Sequence, residues 1–302
     1  MSPVKKPPQK PKPEPPGKPA SDAPAKESRA KPGAKGALKE YFESTRLPVH
    51  SLVFVLPLAV FYEAAILVVN RPLVLATGTV HRVTADKFIR DLVASLLERV
   101  GVRGATEDPL YYGIMSGAVV VLALLVWQIV SRKTWQVRPT TLLGMLAESV
   151  VIGFLWLLAA KFIVEPLLRQ PPQRMTIEEA PASWLYGPAS RDIVIAVGAG
   201  VYEEFLFRLA LVWLFAMIVM GVTGLEWDGS RIVAVLLSAL AFASYHNLGS
   251  LAENFSWAAF LFRTVSGLFF GAIYYVRGFG VAVGCHAMYD IFWLILVKAH
   301  PS

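Results

Sequence analysis

Two adjacent carboxylates, Glu203 and Glu204, and a guanidinium, Arg208, lie within an apolar run of roughly residues 192–220 that is long enough to cross a bilayer. Each ionised side chain near a bilayer centre costs about 2.5–3.5 kcal/mol on insertion scales, so all three must be paired, hydrated or put to use. Glu204 and Arg208 stand at i,i+4 with the acid N-terminal, the favourable order for a helical ion pair. Glu203 points about 100° away around the helix and has no partner on it. Only groups from other helices can satisfy Glu203.

Two further polar clusters stand on late apolar segments. Phe242-Ala243-Ser244-Tyr245-His246-Asn247 closes a fifth span, and His286-Ala287-Met288-Tyr289-Asp290 puts His286 and Asp290 on one helical face of a seventh. Of the five histidines, His50, His81 and His300 flank spans or occupy loops and the terminus. A lone histidine in such a helix commonly just bonds a neighbouring helix, and a Glu–Arg pair can simply lock two helices together. A glutamate pair, two histidines and an aspartate on three separate helices are harder to account for by packing, and together they predict a polar pocket inside the bundle. A carboxylate with two imidazoles can hold a water, take its proton and stabilise an oxyanion, which is hydrolysis without a Ser or Cys nucleophile. The same set, Glu203, His246 and His286, has the donor types for zinc with an open position for water. The zinc-binding pattern HExxH is absent, so a metal-free glutamate mechanism stands beside the zinc reading.

The elements that position these groups are read from composition and hydropathy. Of the 302 residues, 55% are hydrophobic and 17% charged, and mean hydropathy is +0.51. Soluble domains carry about 25% charged residues, so the chain reads as all-α, a polytopic transmembrane helix bundle. About seven spans are expected, to within one: 49–69, 110–130, 142–164, 192–220, 232–246, 257–275 and 281–297. Residues 84–100 differ in kind. Phe88, Ile89, Leu92, Val93, Leu96, Leu97 and Val100 fall on one face, opposite Lys87, Arg90, Asp91, Glu98 and Arg99. That pattern predicts an amphipathic helix on the membrane surface or capping the bundle. Glu63, toward the far end of the first span, is expected to reach the interface.

The net charge of +7 comes from a Pro, Lys and Ala-rich tail at the start of the chain. Such a tail is expected to be disordered, and by the positive-inside bias to stay in the cytoplasm. Its charge suits an anionic lipid surface; no aromatic interleaving or motif points to nucleic acid. A second glutamate pair, Glu178-Glu179, sits among Pro, Gln and Ser and has Ser183 where an arginine would be needed, so it reads as solvated. The single cysteine, Cys285, excludes an intrachain disulfide framework and reads as a small buried hydrophobe.

Glu203-Glu204-x-x-x-Arg208, Phe242-x-x-x-His246 and His286-x-x-x-Asp290, in that order and each on its own span, resemble the motifs of the CPBP intramembrane proteases. These are the CAAX prenyl endopeptidases and bacteriocin-processing enzymes, also called the Abi family. The resemblance covers roughly residues 190–300 and implies an intramembrane endopeptidase. Carried over, Glu203 is the general base, His246 its partner on the water, His286 with Asp290 the transition-state stabilisers, and Glu204 with Arg208 the supporting ion pair. Asn is frequent in that family at the position of Asp290. The family is commonly labelled metallopeptidase, while a metal-free glutamate mechanism is also held for it. The resemblance implies an integral, multi-pass location (the inner or plasma membrane in a bacterium) and a membrane-associated peptide or protein substrate of CAAX, sorting-tail or other peptide-processing type.

Three regions follow: a basic tail over 1–40, N-terminal membrane helices over 41–190, and a catalytic core over 191–300. The rival classes are an ion- or proton-coupled transporter using the same carboxylates, and a silent scaffold or immunity protein of the same fold. No internal repeat supports the transporter, and a scaffold need not keep all three motifs.

Overall fold

The computed structural model of the chain describes residues 33–69, 83–102, 109–168, 188–247 and 255–298. The tail 1–32, His81, Glu178, Glu179, Ser183 and His300 lie outside them. All regular structure among the described residues is helical, and seven helices are long and apolar enough to cross a membrane.

Helix α1 (Ala34–Thr45) precedes the first span, so residues 34–40 of the expected tail are helical. The spans are α2 (Pro48–Val69), α4 (Pro109–Ser131), α5 (Pro139–Ala159, continued by a wider turn Ala160–Val164 and by Glu165–Leu168) and α6. Helix α6 joins Pro188–Glu204, a π-helical segment Phe205–Leu211, and Val212–Thr223. The last three are α7 (Trp227–Tyr245), α8 (Trp257–Arg277) and α9 (Phe279–Trp293, continued by Leu294–Lys298). Between α2 and α4 lies α3 (Thr84–Arg99).

Helix α9 is the most enclosed span, packed between α5 and the first half of α6, while α7 packs on α8 and the second half of α6. Two glycines set these approaches. A Cβ on Gly200 would lie 2.9 Å from the Val283 carbonyl oxygen and from Ala287, so glycine lets α6 lie backbone to backbone on α9 beside the motif residues. Gly278 turns the chain from α8 into α9 with φ +94°, a conformation that disfavours side chains.

One end of the bundle is tied by Glu148. It accepts from Arg277 at 2.5 and 2.7 Å and from the Tyr41 hydroxyl at 2.7 Å, fastening α1, α5 and α8 together. At the same end His50 Nε2 accepts from the Arg138 backbone at 3.2 Å, and Arg46 donates to the Val276 carbonyl at 2.7 Å.

The opposite end is tied by α3, and here the structure corrects two expectations. Arg90 is not on a solvated face but 0% exposed. It donates to Asp86 at 2.6 Å and to both oxygens of Glu63 at 2.9 and 2.7 Å. Glu63, expected at the interface, also accepts from Ser116 at 2.9 Å and from Tyr202. Burial alone would lower the Arg90 pKa, but the Asp86 and Glu63 carboxylates outweigh it and raise that pKa above the ordinary value. The inward face of α3 is therefore Ala85, Asp86, Ile89, Arg90 and Ala94, while Phe88, Leu92, Leu96 and Val100 of the expected apolar face are exposed. The helix caps the bundle through a charge network as well as through apolar contact.

Candidate active site

Helix α6 brings Glu203, Glu204 and Arg208 together where α-helical hydrogen bonding gives way to the wider π turns. Such interruptions are frequent at functional sites, because a π turn costs regular hydrogen bonding and survives where side-chain placement needs it. Arg208 NH1 stands 3.1 Å from Glu204 Oε1, the i,i+4 pair anticipated from spacing, with both side chains buried. Arg208 also donates to the Gly267 carbonyl of α8 at 3.3 Å and lies 4.7 Å from the Phe242 ring centre and 5.8 Å from that of Phe270. Aromatic faces and a carbonyl thus hold the cation where water is scarce.

His286 reaches this pair from α9. Its Nδ1 lies 2.7 Å from Glu204 Oε1, and its ring is stacked on Phe270 at 4.5 Å between centres and 13° between planes. The ring is fixed in plane by the stack and in rotation by the hydrogen bond. On its other edge, Nε2 faces Asp290 Oδ2 at 3.6 Å and Glu203 Oε2 at 3.9 Å. Both exceed direct hydrogen-bond length and fit a bridge by a small polar molecule. Glu204 is therefore not satisfied by Arg208 alone, since the nearest carboxylate to His286 is Glu204. Glu203 meets only the far edge of the same imidazole.

His246 follows the last residue of α7 and caps it in helical conformation. Its Nδ1 is 2.9 Å from the Phe242 carbonyl, which requires a proton on Nδ1 and leaves Nε2 with its lone pair in the neutral ring. Phe242 stands between the two histidines, 4.9 Å from His246 and 6.4 Å from His286 by ring centres. Among the described residues no hydrogen bond or ion pair joins His246 to Glu203, His286 or Asp290. The structure thus joins Glu204, Arg208 and His286 directly, brings Glu203 and Asp290 to 3.9 and 3.6 Å from His286, and sets His246 beside them across an aromatic ring.

Three features of the site carry no motif in the sequence. Phe270 joins the motif residue Phe242 in clamping Arg208, and its ring stacks on His286. Tyr245 packs on Phe207 and His246, and its buried hydroxyl makes no hydrogen bond among the described residues. Tyr202, the neighbour of Glu203, hydrogen-bonds Glu63 and so ties the motif helix to the α3 network.

The donor types suit zinc, but their placement does not. Among the described residues no three His, Cys, Asp or Glu side chains converge as ligands on one point. His286 and His246 each commit Nδ1, to the Glu204 carboxylate and the Phe242 carbonyl, and keep Nε2 for another partner. Among the described residues Glu203, His246 and His286 do not converge as a three-ligand group, and no step below is routed through a metal. Cys285 is buried, as a small hydrophobe would be.

Residues 187–292 match the family described as type II CAAX prenyl endopeptidase Rce1-like, which supports the resemblance carried by the three motifs. The matched segment begins just before α6 and ends within α9, so it contains every motif residue named above. No curated protein and no solved structure matches the chain.

Proposed function

We propose that the segment matching the Rce1-like endopeptidases is the catalytic core of an intramembrane peptidase in which Glu203 activates water. The single observation behind the reading is the contrast within one helical turn. Glu204 Oε1 is held by Arg208 at 3.1 Å and by His286 Nδ1 at 2.7 Å, whereas among the described residues Glu203 has as its ion-pair partner only the far edge of His286, 3.9 Å from Oε2. A water bridging Glu203 and His286 satisfies both groups and stands where its proton can be taken.

In the reaction Glu203 accepts that proton while the water oxygen bonds to the scissile carbonyl carbon. Negative charge develops on the carbonyl oxygen. In the imidazolium form His286 donates Nδ1–H to Glu204 and offers Nε2–H to this oxyanion, with Asp290 beside it. His246, its Nδ1–H held by the Phe242 carbonyl, keeps Nε2 as the second partner of the water. Glu203 then returns the proton to the amide nitrogen as the carbon–nitrogen bond breaks, leaving one carboxylic acid, which keeps the second water proton, and one amine. Arg208 touches no reacting atom in this scheme and positions Glu204, which positions His286.

Purified protein in proteoliposomes should cleave a membrane-tethered peptide reporter. His246→Ala should slow cleavage by about 100- to 10,000-fold, the usual contribution of a positioned acid–base group, without lowering the melting temperature. Wild-type rates in that variant would refute the assignment of His246.

A further inference from the structure

Among the described residues the site is closed at one end of the bundle and more exposed toward the other. Toward the end that carries α1, the α9 residues Val281, Ala282, Val283 and Cys285 are each 0% exposed, and Gly280 donates to Ser51 Oγ at 3.2 Å. Side-chain exposure then rises away from that floor: 0% for Glu204, 6% for His286, 11% for Glu203 and 28% for Asp290. His246 lies still farther along, at the end of α7 opposite its start beside the α6–α7 turn. The same far end carries α3, whose Phe88 packs on Tyr245 at 6.2 Å.

The two ends also differ in charge. The closed end follows the basic N-terminal tail and carries Arg46, Arg132, Lys133, Arg138, Arg231 and Arg277, whereas at the other end Lys87, Arg90, Arg99 and Arg191 stand among Asp86, Asp91, Glu98 and Asp192. An untranslocated basic tail and a short basic loop between spans are the strongest markers of a cytoplasmic face. At the open end α3 presents a mixed polar stripe, with Lys87 paired to Asp91 at 2.6 Å and Ser95 and Glu98 following on the same exposed face.

We propose that the site opens to the non-cytoplasmic side of the membrane and takes, as substrate, a translocated polypeptide whose scissile bond lies near that interface beside its membrane anchor. A lipidated C-terminus presented from the cytoplasm would meet the sealed floor formed by α2, α5 and α9. This substrate class rests on the peptidase reading above, whereas the sidedness rests only on the bundle. A chain anchored by a single apolar segment reaches Asp290 and His246 first, and Glu203 next, without crossing the bundle.

Sidedness and substrate are separated by two measurements on the full chain. The only native cysteine is buried, so single variants Ser95→Cys on α3 and Thr134→Cys on the α4–α5 loop can be labelled with a membrane-impermeant maleimide against an unlabelled background. The expected result is labelling of Ser95→Cys in intact cells, and labelling of Thr134→Cys only after permeabilisation. The reverse pattern overturns the proposal. Two membrane-anchored reporters then carry one scissile segment, on the outer side in one and on the cytoplasmic side in the other. Glu203-dependent cleavage of the outer reporter alone is expected, and cleavage of the cytoplasmic reporter alone overturns the substrate class. Should neither be cut while the labelling pattern holds, the peptidase reading fails and the sidedness stands.

Discussion

Removing Glu204 and Arg208 together should destabilise the protein less than removing either one. The pair is 3.1 Å apart with side chains 0% and 1% exposed, so neither charge is screened by water. Replacing one partner leaves the other buried and uncompensated, which costs about 3–5 kcal/mol. Glu204→Met would strand Arg208 with one 3.3 Å bond to the Gly267 carbonyl and its aromatic neighbours. Arg208→Met would strand Glu204 with His286 alone. The double variant removes both charges and replaces them with apolar groups of similar volume, which for a buried pair is often neutral. What then remains is the loss of the charged His286–Glu204 hydrogen bond, about 1.5–3 kcal/mol. Each kcal/mol moves a melting temperature by about 2–4 °C at domain sizes of roughly 150–250 residues, so each single variant should melt about 10 °C low and the double should recover part of that. Thermal melts of the three variants in one detergent, followed by tryptophan emission, provide the comparison. A double variant whose loss equals the sum of the two single losses would refute the claim that the two groups compensate each other.

Two further predictions concern the α3 network and the metal question. Arg90→Met removes the guanidinium that bonds both Glu63 and Asp86 and should cost about 3–5 kcal/mol, read as a lowered melting temperature and faster proteolysis within α3. Arg90→Lys should restore little of it, because a single ammonium cannot reproduce the fork that spans both carboxylates, and full recovery would contradict that geometry. Protein stripped of metal by a chelator, with metal content measured on the same sample, should retain reporter cleavage; activity that vanishes and returns with zinc would overturn the metal-free scheme.

The helical spans and the Glu204–Arg208 pair were legible because both depend on local spacing: apolar length for the spans, and i,i+4 for the pair. Arg90 was misplaced for the converse reason. A helical projection of 84–100 groups it with Lys87 and Asp91, and only Glu63 on another helix explains why the guanidinium turns inward. Glu63 was misread with it. The motif residues were legible as a set, but their order of contact was not. Spacing left Glu203 as the carboxylate awaiting a histidine, whereas the close packing of α6 on α9 across Gly200 delivers His286 to Glu204 first. Phe242 stood in a motif, but its partner in the aromatic clamp, Phe270, was hidden because aromatic residues on a membrane span carry no contrast against their surroundings.

The central claim is that Glu203, and not the better-paired Glu204, takes the proton from water. The most direct test is the cleavage rate of a membrane-tethered reporter by Glu203→Gln, a nearly isosteric change that keeps hydrogen bonding and removes the base. The rate should fall by about 100- to 10,000-fold while the melting temperature stays at the wild-type value. Cleavage at the wild-type rate by a fully folded Glu203→Gln protein would contradict the account.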